Sequence, residues 1–268
     1  MSETTACGGL PVVLLHALPL DSSMWDETAR ALRAHGHPVL PVDQRGFGGA
    51  PLPAGDTPCL DLVADDLARE LDRRGLDAVA LAGCSMGGYT AMSFLRRHPD
   101  RVRALALFAA RATADTPEQA AARLRFAELL LDDSLRARIV TDTAPSLLGA
   151  TTRAGRPRLL NRVTDRARAA APDSVAWAQR AIAAREDSLP TLGTTGVPAV
   201  VVQGEEDELV TLEEARETAA ALPSGRLVTL PGVGHLAPLE APEATAEILS
   251  DLLGQAQRST TSGGATAC

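Results

Sequence analysis

Short apolar runs alternate along the chain with segments in which apolar residues recur at helical spacing. The runs are continuously apolar, which is typical of parallel strands buried on both faces. The predicted strands are Leu10–Leu15, Pro38–Asp43, Ala78–Cys84, Val102–Phe108, Ala199–Gly204 and Arg226–Leu230. The predicted helices between them are Met24–His35, Leu60–Arg74, Met86–His98, Glu213–Leu222 and Glu243–Leu253. This alternation predicts an α/β fold with helices on both faces of a parallel sheet.

One long interval without a strand-like run interrupts the alternation. Residues 112–196 carry only helical patterns, at Pro117–Leu131, Ser134–Thr141, Arg158–Ala170 and Asp173–Arg185. Because ligands bind beyond the carboxyl ends of strands in such sheets, we predict a helical cap over that edge. Residues 10–111 and 197–255 then form the core. The terminal segments 1–9 and 257–268 are predicted to be disordered tails.

Composition and charge exclude several classes of function. The 268 residues include 26 basic ones, all of them Arg, against 34 acidic ones, for a formal charge of -8. This balance argues against a nucleic-acid surface. The absence of Lys excludes a Schiff-base lysine and the lysine of a phosphate-binding loop.

The cysteines and the N-terminal sequence predict a reducing compartment. The four cysteines are scattered and form no CxxC pair, so neither a zinc site nor a disulfide framework is indicated. No stretch approaches the roughly 20 apolar residues of a membrane span, and the N-terminus lacks a basic segment followed by an apolar run. We therefore expect a cytoplasmic protein with no membrane partner.

The strongest chemical signal is GCSMGG at residues 83–88, between the third predicted strand and a helix. Small residues on either side of Ser85 permit a sharp turn that projects its hydroxyl above the sheet. A helix N-terminus beside it favours a nearby anion. Five-residue GxSxG matches arise often by chance, but this placement predicts Ser85 as a nucleophile. Cys84, at the buried end of the strand, is interpreted as core packing.

A serine hydroxyl needs a base, and His235 is the best placed histidine. It follows the last predicted strand in a loop, on the same sheet edge as Ser85. The other histidines lie in turns, at a helix end or at the end of the first strand, where an imidazole more often fixes local structure: His16, His35, His37 and His98. Asp207 is the predicted carboxylate partner, because the Gly-x-x-Asp spacing carries it past the fifth strand toward His235.

Further residues are predicted around this centre. The backbone amides of Leu18 and Met86 are the candidate oxyanion donors. The candidate substrate contacts are Trp25, Tyr89, Arg111 and Leu236. Packing is the alternative for the two aromatic residues, and a salt bridge is the equal alternative for the arginine.

An arginine-rich segment, residues 153–168, contains six Arg and one Asp. The ordinary interpretation is a solvated helix face. The sharper one is a docking patch for a carboxylate substrate, or for the phosphate of a pantetheine arm on an acidic carrier protein.

The chain resembles the α/β-hydrolase superfamily from Leu10 to Leu253. The matching motifs, in order, are LLHALPLDSSMW, VDQRGFGGAP, GCSMGG, GEEDE and GVGHLAPLEAPE. It looks most like small esterases, metal-free haloperoxidase-like perhydrolases and 3-oxoadipate enol-lactonases, and FAARATADTPE particularly resembles the last group. The resemblance implies a Ser85, Asp207 and His235 triad, an acyl-serine intermediate and no metal or organic cofactor. A serine nucleophile argues against haloalkane dehalogenases and epoxide hydrolases.

Two departures from the superfamily pattern affect the expected structure. Ala17 follows His16 where relatives usually have glycine, so the oxyanion loop must avoid positive φ there or be remodelled. Relatives commonly begin with an antiparallel hairpin, for which nine residues leave little room. We therefore predict an α/β-hydrolase fold of about six strands, all parallel, with Pro38–Asp43 at an exposed edge unless the N-terminus or another subunit covers it.

The predicted function is hydrolysis of a small carboxylic ester or lactone. The first alternative is an acyl-transfer, thioesterase or cyclising enzyme of a biosynthetic pathway, with a carrier protein as a partner. The second is a noncatalytic ligand-binding member of the fold. The sequence leaves open the natural substrate and whether the chain forms a homodimer.

Overall fold

A parallel β-sheet forms the centre of the computed structural model, which describes residues 9–263. Within that range the strands are β1 (Val12–Leu15), β2 (Val39–Val42), β3 (Val79–Cys84), β4 (Val102–Phe108), β5 (Ala199–Gly204) and β6 (Gly225–Leu230). Their order is β2-β1-β3-β4-β5-β6, and every neighbouring pair is parallel. This confirms the predicted fold class, including the position of β2 at an edge.

Helices cover both faces of this sheet. Before β4 lie α1 (Asp26–Ala34), α2 (Leu60–Arg73) and α3 (Met86–Arg97). Between β4 and β5 lie α4 (Pro117–Leu131), α5 (Asp133–Thr143), α6 (Ala150–Gly155), α7 (Pro157–Ala169), α8 (Pro172–Ala183) and α9 (Leu189–Thr194). After β5 lie α10 (Leu212–Ala221), α11 (Ala237–Glu240) and α12 (Pro242–Gly263). None of the helices within the described residues is long and apolar enough to cross a bilayer.

The apolar core has one cluster on each face of the sheet. Because side chains alternate along a strand, β1 sends Val13 and Leu15 to one cluster and Val12 and Leu14 to the other. Helices α2, α3 and α8 pack in the first cluster, and α1 and α12 pack in the second. Strands β3 and β5 are buried at every position, as their continuous apolar runs predict.

Local signals begin the helices of the segment at residues 112–196, which we call the insertion. Thr116 caps α4 by accepting from the amide of Gln119 at 3.3 Å, and Pro117 occupies the first turn. Asp132 caps α5 by accepting from the amide of Ser134 at 2.8 Å. Helices α4 and α8 pack against each other. Helices α6 and α9 are too short to show a periodic signal in the sequence, because each has only six residues.

The last helix differs from the expectation. Helix α12 continues to Gly263, whereas the sequence predicts that it ends at Leu253 and that a disordered tail begins at residue 257. Ala256 is 4% exposed and belongs to the core cluster of α12, so packing extends the helix beyond the strongly apolar part of the pattern. Residues 1–8 and 264–268 lie outside the described residues, and the expectation for them stays a prediction.

Candidate active site

Ser85 occupies the sharp turn between β3 and α3. Its backbone has φ 53° and ψ -114°, a conformation that non-glycine residues rarely adopt. The flanking glycines make this turn sterically feasible. A Cβ at Gly83 would lie 2.2 Å from the carbonyl oxygen of Gly87, and a Cβ at Gly87 would lie 2.2 Å from that of Leu15. The close approach of three backbone segments therefore explains the GxSxG spacing around Ser85.

The two candidate oxyanion amides flank this turn. Met86 is the first residue of α3, and a helix has no internal acceptor for its first N–H groups. Leu18 follows β1 and lines the same cavity as Ser85. Among the described residues, the non-glycine positions with positive φ are Ser85 and Ala109. Ala17 therefore does not adopt the left-handed conformation. This is what the sequence predicts for an oxyanion loop that has alanine in place of the usual glycine.

A buried hydrogen-bond network holds the loop after β1. His16 is fully buried, and its Nε2 accepts from the backbone amide of Gln44 at 3.0 Å. Gln44 donates from Nε2 to the carbonyl of His16 at 2.7 Å and accepts from Thr90 of α3, also at 2.7 Å. Burial lowers the pKa of His16 to about 4. His16 is therefore a neutral structural residue that ties the loop of Leu18 to α3.

His235 and Asp207 form a buried pair. Nδ1 of His235 lies 3.0 and 2.9 Å from the two carboxylate oxygens of Asp207. The two side chains are 3% and 0% exposed. Because an ionised carboxylate only accepts, Nδ1 carries a proton, so the neutral form of this imidazole has its lone pair on Nε2. The thiol of Cys84 donates to the carbonyl of His235 across 3.5 Å, so this loop lies directly against the residue preceding Ser85.

The environment of Asp207 keeps its carboxylate ionised. Burial alone would raise its pKa, but the interaction with His235 and the backbone amides of Leu209 and Val210 lower the pKa below its usual value. These amides donate at 2.8 and 3.2 Å. These interactions therefore keep the carboxylate of Asp207 ionised and also hold it in position.

Two residues that sequence reasoning missed support this pair. Gln203 is fully buried and donates from Nε2 to Oδ2 of Asp207 at 2.9 Å. Glu240, 8% exposed, accepts at 3.1 Å from the amides of Gly234 and Leu236, which flank His235. A polar residue in the apolar strand AVVVQG was the available signal for Gln203. Glu240 lies in a short helix of four residues with no comparable signal.

A cavity of about 360 Å³ lies between the carboxyl ends of the strands and the insertion. Ser85 and His235 line it together, with Leu18 and Tyr89. Most of the wall contributed by the insertion is apolar, including Phe126, Leu130, Val140, Ala167, Val175 and Ile182. The cavity therefore brings the predicted nucleophile and base to one apolar space. Asp207 lies behind His235, outside the lining.

The predicted substrate contacts divide into one that lines the cavity and three that do not. Tyr89 lines it, and the guanidinium of Arg185 lies 4.3 Å from the centre of its ring. Trp25 is fully buried and packs edge-on to Phe108, because its side chain points into the core cluster of α1 and α12. Leu236 is also fully buried in that cluster. The expectation of substrate contact is wrong for Trp25 and Leu236.

Arg111 likewise does not line the cavity. It is 6% exposed and forms ion pairs with Asp115 and with Glu214, the latter at 3.1 Å. Of the two interpretations from sequence, the structure supports the salt bridge. The buried carboxylate of Asp115 holds the guanidinium behind the cavity wall.

The arginine-rich segment is mostly engaged with the protein itself. Arg153 pairs with Glu208, Arg156 donates to the carbonyl of Glu240, and Arg166 pairs with Asp21. Arg168 donates to Thr141. Arg158 and Arg162, both exposed on α7, have no hydrogen-bond or ion-pair partner among residues 9–263.

Other features of the described residues lie apart from this centre. A cleft of about 520 Å³ beside β2 includes Asp43, Arg45 and Asp66 and contains no residue of the predicted triad. No group of three or more His, Cys, Asp and Glu side chains in the described part of the chain could hold a metal ion.

Comparisons with known proteins agree with the fold. A family model described as alpha/beta hydrolase fold matches residues 11–242. A thermophilic esterase from Thermogutta terrifontis, solved with malate bound, is 32% identical, with a TM-score of 0.87 over 93% of this chain and 91% of that one. The enol-lactonase from Burkholderia xenovorans LB400 is 27% identical, with a TM-score of 0.83 over 92% of each chain.

Curated sequences give both full-length and partial matches. A pimeloyl-[acyl-carrier protein] methyl ester esterase from Neisseria meningitidis is 29% identical over 90% of this chain and 93% of the relative. Other curated relatives align over only 33% to 39% of their own length. The family model covers most of the chain, and the solved esterase covers nearly all of it. The chain therefore belongs to the α/β-hydrolase fold family.

Proposed function

We propose that the protein is a serine hydrolase that cleaves a small carboxylic ester or lactone. The observation that carries this proposal is that Ser85 and His235 line one cavity while Asp207 holds His235 by Nδ1. An imidazole held at Nδ1 by a carboxylate and a strained, partly exposed serine in the same cavity supply both a nucleophile and its base.

The proposed reaction proceeds through an acyl-serine. Ser85 Oγ attacks the carbonyl carbon and transfers its proton to Nε2 of His235. The amides of Leu18 and Met86 stabilise the oxyanion, and His235 then gives the proton to the departing alkoxide. Water attacks the acyl-serine with the same assistance, which releases the carboxylic acid and restores the serine hydroxyl. In a lactone, the leaving alkoxide stays attached to the acyl group.

The cavity and the relatives support an ester or lactone of modest size. A volume of about 360 Å³ is at the lower end of small-molecule sites, and its mainly apolar wall suits a short carbon chain. The similar proteins include an esterase with malate bound, an enol-lactonase and a methyl ester esterase. Each of these three names mentions a compound that has a carboxylic acid or ester group.

The direct test is intact-protein mass after treatment with a fluorophosphonate probe. We expect one adduct on the wild type and none on Ser85→Ala. Ser146→Ala is a matched control, because Ser146 lines the same cavity outside the turn at Ser85 and donates to the carbonyl of Thr143. The control should label as the wild type does. A folded wild type without an adduct would favour a noncatalytic ligand-binding protein over the enzyme.

A panel of esters, lactones and thioesters then tests turnover. His235→Ala should abolish it, and Asp207→Asn should lower kcat by several orders of magnitude because the imidazole loses its orienting acceptor. If an added alcohol or amine captures the acyl group more effectively than water, the protein is an acyltransferase instead of a hydrolase.

A carrier-tethered substrate is the second candidate. It is favoured by the guanidinium groups of Arg158 and Arg162, which have no partner in the described part of the chain, on a helix whose residue Ala167 lines the cavity. Arg158→Glu combined with Arg162→Glu should then lower kcat/KM for an ester on an acyl carrier protein much more than for the free ester. Arg125→Glu, which changes an exposed arginine of α4, is the control. Equal effects on the two substrates would remove this candidate.

A further inference from the structure

The charged side chains lining the cavity are all of one sign. Arg123 and Arg136 line it, and none of the described lining residues is Asp or Glu. This contrasts with the whole chain, whose formal charge is -8. A largely apolar cavity with cations and no carboxylate favours a ligand that carries negative charge.

Arg123 is held in place by neighbours on both sides. Its Nε donates to Asp115 at 2.6 Å, and its Nη1 donates to Oε1 of Gln179 at 3.1 Å. Gln179 also lines the cavity. Nη2 has no acceptor among the described residues, so the guanidinium keeps donors for a ligand. A fixed planar donor group binds a carboxylate at low entropic cost.

A charge imbalance behind the wall adds to this preference. The side chain of Asp115 is fully buried and pairs with three guanidinium groups, those of Arg111, Arg123 and Arg185. The second carboxylate in the group is Glu214, which pairs with Arg111. Three cations against two anions leave a net positive charge. Among residues 9–263, Nε of Arg111 and Nε of Arg185 are buried and have no acceptor. Arg123 is the member of this group that reaches the cavity.

We propose that Arg123, with Gln179 beside it, binds a carboxylate of the substrate, so the preferred ester or lactone carries a carboxylate remote from the bond that is cleaved. This inference rests on the proposed function and names its substrate class. One guanidinium with its remaining donors, set among apolar side chains, matches a single carboxylate on a short carbon chain better than a doubly charged phosphate.

The test compares linear dicarboxylic acids as monomethyl hemiesters with their dimethyl diesters, which have the same chain and no charge. We expect the wild type to favour the hemiester in kcat/KM. Arg123→Gln should lower the ratio of the two kcat/KM values roughly 10- to 100-fold, the range expected for hydrogen bonds to a charged group. Arg123→Lys should recover part of the ratio, because it keeps the charge and loses the planar fork.

The controls separate a local effect from a general one. Arg125→Gln removes an exposed arginine from the same helix and should leave the ratio unchanged. Asp115 keeps Arg111 and Arg185 in the Arg123 variants, so its carboxylate stays compensated. A wild type that favours the diester, or an Arg123→Gln ratio equal to that of the wild type, would overturn the proposal.

A binding measurement distinguishes failure of the subsite from failure of the proposed function. Calorimetry on Ser85→Ala with the free dicarboxylates requires no turnover. We expect binding that weakens roughly 10- to 100-fold when Arg123→Gln is added. If the wild type cleaves neither ester but Arg123→Gln still weakens dicarboxylate binding, the result supports the carboxylate subsite and contradicts the proposed hydrolase. Binding that is absent, or unchanged by Arg123→Gln, overturns the subsite whatever the esters show.

Discussion

Nε2 of Gln203 donates to Oδ2 of Asp207 across 2.9 Å from inside β5. The same nitrogen donates to the carbonyl of Val210 at 2.7 Å, so Gln203 ties the aspartate loop at two points. The direction of the Asp207 carboxylate is determined by this contact, by the amides of Leu209 and Val210, and by the interaction with His235. Gln203 is thus a positioning residue for the pair of Asp207 and His235.

Gln203→Leu should lower kcat by about tenfold while KM changes little, because Asp207 loses one fixed donor but keeps its charge and its amides. The measurement is kcat and KM for a neutral ester, together with the urea midpoint of unfolding. Thr229→Val, a substitution at an exposed position paired with Gln203 in β6, is the control. A rise in KM with kcat unchanged would assign Gln203 to ligand binding instead.

Glu240 connects the histidine loop to the insertion. Its carboxylate accepts from the amides of Gly234 and Leu236 at 3.1 Å and from the amide of Gly149, ahead of α6, at 2.8 Å. Glu240→Gln places an amide group against three N–H donors, where only one of its two ends accepts. We expect kcat to fall about 10- to 100-fold as His235 loses its fixed position.

The control for Glu240 is Glu243→Gln, which makes the same change at an exposed position at the start of α12. It should retain the kinetics and the urea midpoint of the wild type. If Glu240→Gln lowers only the midpoint and leaves kcat intact, then Glu240 stabilises the fold without positioning His235.

Sequence patterns predict the sheet and the turn at Ser85 well because both have strong local signals. Strands β4 and β5 have the predicted bounds, because a continuous apolar run between turns shows where a strand begins and ends. The motif around Ser85 depends on backbone contacts that only glycine permits, so it is also readable in sequence.

The parts that sequence did not reveal depend on contacts between distant segments. The sequence predicts Arg111 as a candidate for binding a substrate carboxylate, but Asp115 and Glu214 bind it, and Arg123 of α4 lines the cavity instead. Trp25 gives no local sign of which core cluster it enters. Contacts between segments far apart in the sequence determine both outcomes, and periodicity does not specify those contacts.

His16 should make the protein less stable as pH falls from neutral. Burial lowers its folded-state pKa to about 4, below the ordinary value of 6.5, so the unfolded chain binds more protons between those values. The free energy of unfolding therefore carries a contribution that is complete above pH 6.5 and decreases as pH falls toward 4. The difference between the two pKa values corresponds to about 3 kcal/mol in the free energy of unfolding.

Urea unfolding at a series of pH values from 7 to about 4.5 measures this contribution. His16→Gln keeps an acceptor for the amide of Gln44 and has no titratable group, so its stability should depend less steeply on pH. His35→Gln, at an exposed histidine, keeps His16 and should retain the slope of the wild type. Equal slopes for the wild type and His16→Gln would show that other groups cause the acid sensitivity.

The close backbone approach at Gly87 gives the sharpest steric prediction. A Cβ at this position would lie 2.2 Å from the carbonyl oxygen and 2.6 Å from the carbonyl carbon of Leu15, and neither backbone atom has room to move within the buried sheet. Gly87→Ala should therefore destabilise the fold by about 3 kcal/mol or more and displace Ser85. Gly155→Ala at the end of α6 adds the same methyl group where nothing lies within 4 Å, so its free energy of unfolding should match or exceed that of the wild type. Thermal unfolding and fluorophosphonate labelling of both variants measure the two effects, and a Gly87→Ala protein with the stability and labelling of the wild type would contradict the tight contact between α3 and β1.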